Sequence, residues 1–479
     1  MAPNRIIIDT DPGIDDVMAM LLALSAAPEE LEVLMISVTW GNVEVQNCLR
    51  NVMSLFHHIA KEQEWRRANG QPEGFETLKK CKPIVAVGAD RPLEDQRMMA
   101  DYFHGVDGLA GIYTSHPHLT PAETWANLFA SALSSNNPDL VAAAREAASS
   151  SSSTAANAPT SHALFTPTNQ PAHEAILSQL RAHPADTITL VAVGPLTNLA
   201  LAAAADPHAF LRAKQVVVMG GAVDEVGNIT PVAEFNTFAD AVAAARVYAL
   251  TSPRPASTMP PAPPPAPAAK TDGHEPPSRS SQCLPPYPKG LGSRRLKVVL
   301  FSLDITTPHE ITRGMFLSTV KPLVSAGSPL AEWVSAFVTP TFAKMEALHV
   351  GAADRSPDDV GLALHDPLCI WYALLHEKHP EQWKMAAGAP EDIRVETAGQ
   401  WTRGMCVVDR RDRKRREEPT VEARAEVEEG DEKEEEPEVH NDTGNWLGSK
   451  GGNRIWRVVG TPGHNVWGPY LLKRIFQLS

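Results

Sequence analysis

Residues 6–16 read IIIDTDPGIDD: an apolar run leads into a segment in which four of eight positions are aspartate, Asp9, Asp11, Asp15 and Asp16. The apolar run, the Pro12-Gly13 pair and the apolar-periodic stretch DDVMAMLLALSA are the pattern of a buried strand, a tight turn and a helix. The pattern recurs. LEVLMISVTWG reads as a strand that leads into a helix expected from about Val45 to Ala60. PIVAVGA, ITLVAVG and QVVVMGG are further β-rich runs bounded by Gly or Pro. Strands alternating with helices predict an α/β fold, a mainly parallel open sheet with helices on both faces. In such sheets ligands bind beyond the carboxyl ends of the strands. The polar clusters fall there: DTDPGIDD, WGN, GPLTN and GGAVDEVGN.

A helix N-terminus tolerates carboxylates through its dipole and free N–H groups, which accounts for Asp15 and Asp16 but not for Asp9 and Asp11 at the strand end. With no Lys, Arg, His or Cys nearby, four carboxylates point to a hard, oxygen-liking cation, Ca²⁺ or Mg²⁺. D-x-D after an apolar strand also opens haloacid-dehalogenase-type phosphatases. That alternative needs a Lys and another acidic pair after later strands.

Composition bounds the function. A formal charge of −14 argues against non-specific nucleic-acid binding, although much of the excess lies in one late acidic run. The five cysteines, Cys48, Cys81, Cys283, Cys369 and Cys406, are far apart and include no C-x-x-C pair, so a reducing compartment is expected. The N-terminus has too short an apolar run for a secretory signal. The apolar region 188–205 is broken by Gly194-Pro195 and Thr197-Asn198 and reads as strand, turn and helix rather than a membrane span. A soluble, cytoplasmic protein without membrane or nucleic-acid partners is expected, the basic cluster RRDRKRR at 410–416 leaving a nuclear location open.

Three stretches are poor in core-forming residues: 131–160 (Ser, Ala and Asn), 253–290 (proline) and 410–440 (basic, then acidic). They are expected to be disordered insertions in one domain spanning 1–479, or errors of gene prediction.

IIIDTDPGIDD resembles the D-x-D-P-G-x-D-D signature of the inosine-uridine nucleoside hydrolases. TWGN (39–42), HGVDGLAG (104–111), LVAVGPLTNLAL (190–201), MGGAVDEVGNITPVAEFN (219–236), LHDPL (364–368) and TAGQWTRGMCVVDRR (397–411) are similar to further segments of that family, in family order. The resemblance implies a Ca²⁺ site made by Asp11, Asp16, Asp366 and the backbone carbonyl of Val193, where the family usually has Thr. It implies Asp11 as the general base acting on a Ca²⁺-bound water, and Asp15, Asn42, Glu234 and Asn236 on the ribose hydroxyls. Asn228 and Met219 lie beside the substrate in this reading, and Asp9 behind the site. It also implies a small-molecule ribonucleoside as partner and a homo-oligomer, dimer or tetramer.

Those residue types suit cleavage of an N-glycosidic bond. Oxocarbenium character develops on the sugar, carboxylates and amides position the hydroxyls, and a metal acidifies water. A departing base is helped by a proton donor, and His365 and His104 are the candidates, expected to titrate near working pH. Glu234 and Asn236 also suit a cap or turn after Pro231. If AEFN is extended, both face one side and Phe235 points into packing. The expected activity is ribonucleoside hydrolysis with uridine favoured. A catalytically silent nucleoside-binding relative is the other alternative.

Overall fold

A computed structural model describes residues 3–94, 97–121, 128–129, 163–260, 284–348, 356–411, 413 and 440–478. Its centre is a nine-stranded sheet. Seven strands are met in chain order as β1 (Asn4–Thr10), β2 (Leu31–Val38), β3 (Ile84–Val87), β4 (Thr166–Pro167), β5 (Ile188–Ala192), β6 (Gln215–Met219) and β7 (Val298–Phe301). A small antiparallel pair, β8 (Glu310–Thr312) and β9 (Gly361–Ala363), stands apart. So does the pair β11 (Ile393–Val395) and β12 (Cys406–Val408). The sheet is completed by β10 (Lys384–Met385) and β13 (Ile455–Gly460). The strand order is β10-β13-β7-β6-β5-β1-β2-β3-β4, parallel throughout except where β10 runs against β13.

The two faces of the sheet are read off β1. Ile6 and Ile8 belong to one buried cluster and Ile7 to the other, as strand alternation requires. The first face is covered by α1 (Ile14–Leu24) and α2 (Val45–Ala68), together with three later helices. The second is covered by α3 (Ala172–Ala182), α4 (Thr197–Ala205) and a further helix preceded by the short turn α5 (Phe235–Ala239). That further helix is α6 (Ala241–Ala249). The later helices of the first face are α7 (Pro329–Leu348), α8 (Pro367–Leu375) and α9 (His464–Phe476). Every residue of α1 is buried except Asp15. No described helix is long and apolar enough to cross a membrane.

This topology places the site. From β1 the chain builds outward through β2, β3 and β4; from β5 it builds the other way through β6 and β7. The order reverses between β1 and β5, and a crevice opens at the carboxyl ends of strands at such a reversal. Asp9–Asp11 end β1 there, and Val193–Pro195 follow β5.

Some sequence expectations change. The helix after TWGN runs to Ala68, not Ala60, because Cys48, Val52, Leu55, Phe56 and Ile59 bury a continuous stripe and Glu62 and Arg66 prolong it as a buried ion pair at 2.8 Å. The expected insertion 131–160 lies outside the described residues. The ends of 253–290 pack on the fold: Thr258 Oγ1 donates to Asn453 Oδ1 at 2.6 Å, and Arg246 donates to the carbonyl of Pro285 at 2.7 Å. At the start of 410–440, Arg410 pairs with Asp224 at 2.8 Å and Arg411 with Asp442 at 3.0 Å. Residues 261–283, 412 and 414–439 lie outside the described residues.

Candidate active site

The four aspartates of the opening motif lie in distinct settings. Asp9 is buried and ties three elements together. It accepts hydrogen bonds from the Ser37 hydroxyl and from Asn198 Nδ2 (2.9 Å), while burial pushes its carboxyl up to about 7. Asp16 is enclosed by donors: Thr10 Oγ1 (2.5 Å) and the Asp11 N–H (3.3 Å) on Oδ1, Gly13 N–H (3.0 Å) and Asn42 Nδ2 (2.8 Å) on Oδ2. Asp11 Oδ2 accepts the Asn42 N–H at 2.7 Å, and its buried Oδ1 has no partner. Gly41 and Gly194 make room for it. A Cβ on either would come within 2.1 Å and 2.4 Å, respectively, of an Asp11 carboxylate oxygen. Hence TWGN and VAVGP carry glycine where they do.

Asp366 stands at the start of α8, which packs on α1, and its carboxylate makes no capping hydrogen bond to that helix. Ligand oxygens of Asp15, Asp16 and Asp366 all lie within 4.8 Å of one another. Burial, then its like-charged neighbours, hold the Asp366 carboxyl well above the ordinary carboxylate range. Asp11 is raised in the same way, and Asp15 is pushed up to about 7 by burial and Asp16. A shared divalent cation resolves such a cluster. The donors fit one: carboxylate oxygens only, with one buried Asp11 oxygen unclaimed. The buried aspartate cluster can therefore hold a hard metal ion. Asp11 is not part of that three-residue group, and the Val193 carbonyl already accepts from Asn236 Nδ2 at 2.9 Å, keeping one lone pair free.

Beside this cluster lies a cavity of about 420 Å³. Asp15, Asn42, Val193, Met219, Asn228, Glu234, Asn236, Asp366, His104 and His365 line it, whereas Asp11 and Asp16 are buried behind the wall. The fold thus brings residues from six separated motifs to one cavity.

AEFN takes the cap reading rather than the extended one, and the histidines differ from expectation. AEFN is not extended: Glu234 caps α5, with Oε1 accepting the Asn236 N–H (2.7 Å) and Oε2 the N–H groups of Thr237 (2.9 Å) and Gly221 (2.8 Å). Phe235 is buried in the core as expected and also meets the cavity wall, and Asn228 Oδ1 holds the Phe235 N–H at 2.9 Å. The histidines do not titrate near neutrality. Burial lowers His104 to about 3 and His365 to about 4, so both rings are neutral at physiological pH. His104 Nδ1 accepts the Ile14 N–H at 3.2 Å, which leaves the ring proton on Nε2. His365 Nδ1 is held by Thr306 Oγ1 at 2.7 Å.

The wall also includes residues that no motif marked: Tyr102, Phe103, Leu303, Met345 and Leu348. Tyr102 and Phe103 stand immediately before HGVDG, which was a signal for them. Met345 and Leu348 share one face of α7 at helical spacing, which by itself looks like core.

Comparison with known proteins agrees with this geometry. Residues 6–263 match the model of the inosine-uridine preferring nucleoside hydrolase family. An uncharacterized protein of Schizosaccharomyces pombe is 32% identical over 407 residues, covering 85% of this chain and 89% of its own. The non-specific ribonucleoside hydrolase RihC of Klebsiella pneumoniae is 28% identical over 405 residues, covering 84% and 88%. A solved plant nucleoside hydrolase has the same fold, with a TM-score of 0.57 at 20% identity over 99% of both chains. The sheet topology, the aspartate cluster and the family match converge: this chain belongs to the inosine-uridine preferring nucleoside hydrolase family.

Proposed function

We propose that this chain is an enzyme that hydrolyses the N-glycosidic bond of ribonucleosides, releasing free base and ribose. The observation that carries the reading is the cavity itself, where acidic and amide side chains suited to sugar hydroxyls meet two neutral imidazoles beside a buried aspartate cluster. In this reading Asp11, Asp16, Asp366 and the Val193 carbonyl hold Ca²⁺. When bound, the ion supplies the charge that acidifies water and anchors the sugar.

The remaining work falls to the chain. Asp11 takes a proton from water in this reading, supported by its buried Oδ1, which no donor claims. Asp15, Asn42, Asn228, Glu234 and Asn236 orient the ribose hydroxyls, with Met219 against the sugar. Their negative charge and carbonyl dipoles favour the developing oxocarbenium. Glu234 does this while capping α5, since each carboxylate oxygen has two lone pairs. His365 and His104 act as neutral N–H donors to the departing base. Burial holds them neutral, so each donates a hydrogen bond rather than carrying a positive charge.

Uridine is the favoured substrate in this reading, because an anionic pyrimidine leaving group gains most from two N–H donors. The enzyme works in the cytoplasm as a dimer or tetramer, in keeping with the four free cysteines among the described residues. The phosphatase alternative is not favoured by the family match. The test is kcat/KM of the purified chain on uridine, cytidine and inosine. Release of base from any of them supports the activity, and inosine well above uridine overturns the preference.

A further inference from the structure

A single helical turn after β7, residues 303–306, touches both sides of the cavity. The Asp304 carboxylate accepts three consecutive backbone N–H groups from the neighbouring loop: Val223 (3.0 Å), Asp224 (2.6 Å) and Glu225 (3.2 Å). Two residues on, Thr306 Oγ1 holds His365 Nδ1 at 2.7 Å. The Leu303 N–H donates to the Gly221 carbonyl at 2.9 Å, and its side chain lines the cavity.

The loop so held contributes Val226, Gly227 and Asn228 to the cavity wall. It has no regular secondary structure, and Val226 is 68% exposed, so contacts from outside must fix its path. Arg457, on β13, reaches Asp224 Oδ2 at 2.8 Å and Asp304 Oδ1 at 3.6 Å, with Glu391 on its other edge at 2.9 Å. Arg410 donates to the Val223 carbonyl at 2.6 Å and pairs with Asp224 at 2.8 Å. Burial would raise the Asp304 carboxyl, yet hydrogen bonds, those from the Val223 and Asp224 N–H groups among them, hold it below the ordinary carboxylate range.

We propose that Asp304 is a positioning residue for the substrate cavity, setting the Val226–Asn228 wall in register with His365, which the same turn holds. The proposal rests on the nucleoside hydrolase reading of the cavity. Asp304 does not line the cavity, so it acts through the loop. Three charge-assisted bonds from one carboxylate fix three successive peptide planes, which a single loop contact cannot do. An asparagine of the same shape turns an N–H toward at least one of those N–H groups, leaving a donor unmatched.

The test uses Asp304→Asn in the full chain, with two readouts. Hydrogen–deuterium exchange on the free protein is expected to speed up in 221–228 but not in β1 or β5. On a ribonucleoside that the parent cleaves, KM is expected to rise about tenfold with kcat within about twofold, the signature of a mispositioned binding wall. Unchanged exchange in the loop, or a loss confined to kcat, overturns the proposal. If Asp304→Asn does not fold, the exposed Arg410→Ala, which removes another of the loop's tethers, decides on the same readouts: faster exchange with higher KM supports the proposal, and neither change overturns it. The exchange readout needs no substrate, so a chain that cleaves no ribonucleoside overturns the proposed function without touching the ordering of the loop by Asp304.

Discussion

Stripping the cation from the aspartate cluster should destabilise the chain in a way that depends on pH. Ligand oxygens of Asp15, Asp16 and Asp366 lie within 4.8 Å of one another. At an effective dielectric of about 20, each ionised pair at that distance repels by about 3.5 kcal/mol. The metal-free cluster therefore keeps protons, as the rise of Asp15 to about 7 expresses. The sign follows. A carboxyl raised in the folded state favours folding most below its unfolded pKa, and that contribution is lost as pH rises through about 7. A bound cation needs the ionised form, so its apparent affinity is about a hundredfold weaker at pH 5 than at pH 8 for this group alone. With Ca²⁺ at roughly a hundred times its Kd at pH 8, binding adds about 2.7 kcal/mol, or about 3 °C in Tm for a chain of this size. At pH 5 the same calcium should shift Tm by about 1 °C or less, because proton competition offsets the gain. The assay is thermal unfolding with calcium or chelator at both pH values. Buried histidines cancel in the difference, since both samples contain them. Equal shifts at pH 5 and pH 8, or none at pH 8, would refute the reasoning.

The remaining expectations are simpler. Arg66→Ala strands Glu62, which is buried and also accepts from Ser328 Oγ at 2.7 Å, and should cost about 3–5 kcal/mol in denaturant unfolding. His365→Ala and His104→Ala should each lower kcat/KM for uridine by about ten- to a hundredfold. Because burial holds both rings neutral, the parent's rate should show no limb near pH 6.5 that either substitution removes, as a pH–rate profile of the variants will check. Replacing 261–283 and 414–439 by short Gly-Ser linkers should keep Tm within about 2 °C and kcat/KM within about twofold, as loop closure entropy grows slowly with length. The packed ends at 253–260 and 284–290 must stay, and a variant that removes them too should lose stability in the same melt.

Much of the site is legible in the sequence because parallel sheets collect polar loops at one edge. DTDPGIDD, TWGN, VAVGPLTN and LHDPL announce themselves as polar groups directly after apolar runs, and the fold brings them together. The strands VVLF and IWRVVG were harder. β7 and β13 are neighbours in the sheet, yet more than 150 residues of chain lie between them, and no local pattern encodes that pairing. The backbone of AEFN stayed open in the sequence because period-two spacing fits both an extended segment and the first turn of a capped helix. The Glu234 carboxylate decides for the helix by gathering three N–H groups. Met345 and Leu348 carried no chemical mark, since helical spacing of apolar residues looks the same in a core and on a cavity wall. The charge state of the histidines was out of reach for a different reason: burial sets it, and burial belongs to the folded chain.

The measurement that tests the central claim most directly is release of free base from uridine by the purified, calcium-loaded chain and by Asp11→Asn. Asp11 is fully buried, and its Oδ1 is unclaimed by any donor. The account predicts turnover by the parent and a loss of about a thousandfold or more in kcat for the variant, whose fold survives by circular dichroism. A parent that cleaves no ribonucleoside, or a variant that retains near-parental kcat, would contradict it.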